Sequence, residues 1–267
     1  MIRRGYAPPI LAIPAVVGLA FLVLPLAALV GRVQWSTLWA DITSTEALDA
    51  LRLSVTTGLV ATALCVLVGV PLALLIARAG ARLASVLRAL VTVPLVLPPM
   101  VGGLALLFLF GRAGWLAGTG WQIPFTTTAV ILAQTFVALP FLVLALEGSL
   151  RTSGVDYERT AAALGAGRWT ILRRVTLPLA APGLLSGVIL CFARAIGEFG
   201  ATALFAGNAP GTTQTMPLAI YTAFNGAGVT QGSAVALSLL LLVTAVLVLL
   251  LVRAWRPSAG PVAGGVR

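Results

Sequence analysis

"DYERTAAALGAGRWTILRRVTLP", residues 156–178, is the centre of the longest polar interval in the chain, and it divides into three parts. Ser153 with Asp156 three residues on forms a capping arrangement for a helix starting near Gly154. Asp156 and Glu158 then fall in its first turn, where the helix dipole favours negative charge. The small residues Ala161, Ala162 and Ala163 follow, and Gly165 stands where a C′ residue ends a helix. Beyond it Arg168, Arg173 and Arg174 lead to Leu177 and Pro178. A short helix of small residues lets another surface approach closely, which suits docking. The competing reading is a solvated loop with one helical turn, and these residues alone leave both open.

Outward from this interval the chain is apolar on both sides. Hydrophobic residues make up 60% of it and charged residues 9%, against roughly 25% charged in a soluble globular domain. One water-soluble core could not hide that much apolar surface. Several runs of about 20 residues could, because each crosses a bilayer core about 30 Å thick. The class is a polytopic all-α membrane protein.

The spacing predicts six membrane helices, near residues 8–30, 53–77, 90–110, 126–146, 184–205 and 234–252. The first follows "MIRRGY" and exceeds the usual length of a signal-peptide core, so it reads as a retained helix with its start in the cytoplasm. The polar stretch with Asp41, Glu46 and Asp49 has room for a short interfacial helix. In the second run Thr56, Thr57 and Thr62 are tolerable because a hydroxyl can bond back to a helix carbonyl. Arg78, Arg82 and Arg88 then form a basic turn. The third run carries Pro94, Pro98 and Pro99, which remove backbone donors and force kinks or breaks. The region from Ala206 to Gly228 reads as a neutral outer loop.

Six spans put both ends on one side of the membrane. Of seventeen basic residues, all Arg, Arg32, Arg52 and Arg112 fall on the far side and Arg194 within a span. The other thirteen lie on the side of the termini, as the positive-inside rule requires of a cytoplasmic face. The same scatter argues against nucleic acid, which needs basic residues gathered on one folded face. Residues 1–256 read as a single transmembrane domain and 257–267 as a disordered cytoplasmic tail. There is no His, and Cys65 and Cys191, far apart in apolar runs, read as small buried hydrophobes rather than a metal site or disulfide.

Arg194 and Glu198 lie inside the fifth run, four residues apart, where a lone charge costs about 2.5–3.5 kcal/mol on insertion scales. One turn apart on a helix, they can pair. A structural pair and a functional site are both open to them, and the structural pair leads.

At residues 156–178 the chain resembles the permease subunits of ABC importers, whose cytoplasmic signature is E-A-A, a glycine, then I-x-L-P. Gly165, Val175, Leu177 and Pro178 match the glycine and its downstream positions. The E-A-A positions hold Arg159, Thr160 and Ala161, with Glu158 one place early. "PLVLPPMVGG" at 94–103 and "GEFGATALFAGNAPGTTQTMPLAIYT" at 197–222 are similar to the molybdate branch, close to sulfate permeases.

The resemblance implies a type I ABC importer permease fold in the cytoplasmic (inner) cell membrane. It also implies a homodimer, two cytoplasmic ATPase subunits carrying ATP-Mg, and an extracytoplasmic substrate-binding protein. The short helix would seat in an ATPase groove through Asp156, Glu158, Arg159, Ala161, Ala162, Leu164 and Gly165, with Leu177 and Pro178 behind it. The third and fifth helices would form the gate, with Pro98, Pro99, Arg194, Glu198 and Thr202 as candidates. No cofactor is expected in this chain, and it is not an enzyme: G-x-x-x-x-G-K-[ST] is absent and the chain has no Lys. The implied cargo is molybdate, with sulfate or tungstate as alternatives. From another class, a proton-coupled transporter would use Glu198 as its relay, the one acid that the residues place at membrane depth.

Overall fold

Hydrocarbon offers no partner for a backbone N–H or C=O, so long apolar runs must satisfy their own, and they do so as helices. The computed structural model describes residues 9–152, 155–226 and 231–254, and every regular element among them is helical. Four helical runs are long and apolar enough to cross a membrane. They are α1 (Ala12–Gly31), α3 (Thr45–Arg78), α6 (Thr127–Thr152) and the run Arg168–Ile196. That run joins α8 (Arg168–Ile171), a π-helical turn (Leu172–Thr176) and α9 (Leu177–Ile196). α4 (Ala81–Val96) and α5 (Pro99–Phe110) are a bent pair that is long and apolar enough only when taken together, and α12 (Gln231–Ala254) is a further apolar helix. The expected short helix before the second span is α2 (Leu38–Ile42), after which the Ser44 hydroxyl accepts the Ala47 N–H at 3.2 Å and starts α3. Thr56, Thr57 and Thr62 donate back to the carbonyls of Arg52, Leu53 and Gly58, each at 2.7 Å.

Three segments differ from the sequence expectation. The third span is two helices at 110°. Pro94 is absorbed within α4, whereas Leu97 and Pro98 both precede a proline and both take extended ψ, near 135°. Two such residues in succession end one helix and start another. Because α4 begins at Ala81, Arg82 and Arg88 stand on a helix and not in a turn. The fifth span ends at Ile196, resumes as α10 (Gly200–Phe205), and starts well before residue 184. Residues 206–228 are not loop throughout, since Met216–Phe224 form α11, with Pro217 in its first turn. The tail 257–267 and Ser153 and Gly154 lie outside the described residues.

The core is a seam of α6 between α3 and α9, made close by glycine. Gly183 and Gly187, four apart on α9, press against α6: a Cβ on Gly183 would stand 2.1 Å from the Ser149 Cβ, and one on Gly187 3.1 Å from the Leu142 carbonyl. Gly69 does the same from α3, with Leu142 Cδ2 at 2.9 Å. Small residues are how helices approach where lipid gives no hydrophobic drive between them. Within this seam Cys65 of α3 and Cys191 of α9 share one buried cluster, and the Cys65 thiol donates to the Thr135 carbonyl at 3.6 Å. Sequence distance hid that contact; both thiols are free.

Candidate functional site

The polar interval folds as a helix that presents itself. α7 (Asp156–Ala163) has no buried residue, and Leu164 after it is 83% exposed. Its end is fixed by backbone chemistry. Gly165 has φ +86°, its N–H donates to Ala162 O at 2.9 Å, and the Ala166 N–H donates to Ala161 O at 3.0 Å. This paired 5→2 and 6→1 closure needs a left-handed residue at C′, the reason glycine stands there. A side chain at Gly165 would meet nothing within 4 Å. Asp156, Arg159, Ala162 and Gly165 are exposed, Ala161 is half-buried, and Arg159 reaches Asp156 at 3.6 Å. Leu177 and Pro178 open α9 directly behind, the first half-buried and the second exposed.

Glu158 departs from this outward set. Its Oε1 accepts the Thr176 hydroxyl at 2.7 Å and pairs with the Arg78 guanidinium. A second acid, Glu147 on α6, has a side chain only 5% exposed. Arg88 of α4 grips both its oxygens, at 3.1 and 2.5 Å, and Arg151 adds a contact at 3.5 Å. Glu147 was missed from sequence, so Glu198 is not the only buried acid. The four-residue step from Glu147 to Arg151 was the available signal; Arg88 and Arg78, 59 and 80 residues from their partners, gave none.

At the other end of α9, Arg194 and Glu198 do pair, Nη2 to Oε2 at 2.5 Å. They do not share one helix, because Glu198 sits in the break between α9 and α10. There its Oε1 also accepts the Ala201 N–H at 2.8 Å, tying the start of α10 to the end of α9. Glu198 is 1% exposed and the Arg194 side chain 25%. The guanidinium is thus engaged by a buried carboxylate.

The two broken spans meet here. A Cβ on Gly200 would lie 3.0 Å from Pro99 Cβ, and one on Gly103 2.6 Å from the Ala201 carbonyl, so α5 and α10 touch backbone to backbone. Pro98, Pro99, Glu198 and Thr202 thus belong to one junction, with both prolines exposed and Thr202 fully buried. The hydroxyl of Thr202 and the amide of Gln134 on α6 are buried without a hydrogen-bond partner among the described residues.

Residues 69–259 match the family described as the binding-protein-dependent transport system inner membrane component. The chain is 53% identical over 250 residues to the molybdenum transport system permease protein ModB of Mycobacterium tuberculosis, covering 92% of this chain and 93% of that one. It is 34% identical over 207 residues to the sulfate transport system permease protein CysT of Escherichia coli, covering 75% of each. Among solved structures it resembles a bacterial alginate ABC transporter in complex with its alginate-bound periplasmic protein, at TM-score 0.67 and 17% identity over 91% of each chain. It also resembles the MetNI methionine ABC transporter in an inward-facing conformation, at TM-score 0.62 and 21% identity, covering 78% of this chain and 94% of that one. The fold is that of type I ABC importer permeases, and the chain belongs to the family of binding-protein-dependent transport system inner membrane components.

Proposed function

We propose that this chain is the membrane-spanning permease of an ATP-driven oxyanion importer, and that its cargo is molybdate. The observation that carries the cargo is 53% identity, along nearly the whole of both chains, to a molybdenum permease, against 34% to a sulfate permease. The observation that carries the mechanism is α7, an exposed helix with a glycine-closed end and small residues along it. Two copies form the pathway in the inner membrane, with both termini cytoplasmic. Two ATPase subunits holding ATP-Mg seat α7 from below, and a substrate-binding protein delivers the anion from outside. ATP binding favours an outward-open state and hydrolysis resets it, so the chain changes access without doing chemistry itself. The junction of the α4–α5 and α9–α10 breaks is the gate, held by Arg194 and Glu198.

The test is uptake into proteoliposomes. Permease, ATPase and loaded binding protein together are expected to accumulate molybdate on ATP, with tungstate competing better than sulfate. Uptake by the chain alone, collapsed by a protonophore, would instead establish a proton-coupled carrier.

A further inference from the structure

α7 has no buried residue, so core packing does not set its position. A polar tie does. The Asp156 side chain is 91% exposed and Arg159 76%, but Glu158 between them is only 20% exposed. Its carboxylate points away from the face that α7 offers to a partner. One oxygen, Oε1, joins three elements: α7 itself, the last residue of α3 through Arg78, and the last residue of the π turn through Thr176. Arg78 suits that place, because a cation at a helix C-terminus is favoured by the dipole. Thr176, 6% exposed, is where the chain passes from the wide turn into α9. A π turn inside a helix marks a point of local irregularity, often a functional one. From it α9 runs twenty residues to the Arg194–Glu198 break. From Arg78, α3 runs back through the whole bundle.

We propose that Glu158 is a positioning residue that converts displacement of α7 into displacement of α3 and α9, with the π turn as hinge, and that it is not a contact for the ATPase. This rests on the importer reading above. The joint is only half-buried, so it can be remade during a cycle without stranding a desolvated charge.

The experiment uses the full transporter in proteoliposomes and reads assembly, ATP hydrolysis and oxyanion moved per ATP. Glu158→Gln is expected to keep assembly and hydrolysis while transport per ATP falls about fivefold or more. Thr176→Val, nearly isosteric and lacking only the donor, is expected to show the same split more weakly, and carries the test if Glu158→Gln does not insert. Exchanging the charges, Arg78→Glu with Glu158→Arg, is expected to recover transport per ATP above either single variant. Unchanged transport per ATP in both Glu158→Gln and Thr176→Val would overturn the proposal. So would loss of ATPase binding in Glu158→Gln alone, since that would make Glu158 a docking contact. If the unaltered complex takes up no oxyanion, the importer reading falls instead, and this inference with it.

Discussion

The two ends of α9 are both held by a carboxylate and a guanidinium, and they are held differently. At the C-terminal end Glu198 is 1% exposed, pairs within its own segment and also caps the next helix. At the N-terminal end Glu158 is 20% exposed and Arg78 34%, and their pair joins elements eighty residues apart. A deeply buried pair is costly to break, because either partner alone is stranded. A half-exposed pair is worth little as stability and can be remade in water. The C-terminal end therefore has the character of a latch and the N-terminal end that of a joint. Between them α9 packs closely against α6 at Gly183 and Gly187.

The sharpest way to break this comparison is to strand the latch. Arg194→Ala leaves the Glu198 carboxylate buried and unpaired, and is expected to cost about 3–5 kcal/mol. Unfolding of the solubilised protein measures it. The double variant with Glu198→Ala should lose less than the two single losses added, and strict additivity would show that the pair is not coupled. The next effect lies between the ends. Gly183→Val places side-chain atoms where Ser149 already stands 2.1 Å from a Cβ, and overpacking there is expected to cost about 1–3 kcal/mol in the same assay. The smallest is at the joint. Arg78→Ala removes a half-exposed partner and is expected to cost about 1 kcal/mol or less, with transport per ATP falling far more than stability. If Arg78→Ala destabilised as much as Arg194→Ala, the two ends would not differ in kind.

Part of this is legible in the sequence. Helical class follows from apolar run lengths, the glycine stop of α7 from its C-cap chemistry, and the Arg194–Glu198 pair from a four-residue step. α7 itself starts at Asp156 after Val155, with no side-chain cap, and not near Gly154. What sequence could not give depends on partners far along the chain. The inward turn of Glu158 needs Arg78 and Thr176; the grip on Glu147 needs Arg88; the contact of Cys65 with Cys191 needs α3 and α9 side by side. The breaks were half legible. Pro98–Pro99 announced one, but where the fifth helix stops is fixed by Glu198, which turns from α9 to cap α10 and meets the Pro99 corner through Gly200. A periodic apolar pattern runs straight through such a break without a sign.

On the function proposed above, α7 is the place where an ATPase drives this permease. Gly165→Asp tests it most directly. The added side chain has open space, and Asp tolerates the left-handed backbone better than most residues, so the helix should remain. In proteoliposomes with ATPase and binding protein, the variant is expected to insert and fold normally, yet lose ATPase association and ATP-driven molybdate uptake. Full uptake with normal complex assembly by Gly165→Asp would contradict the docking role of α7.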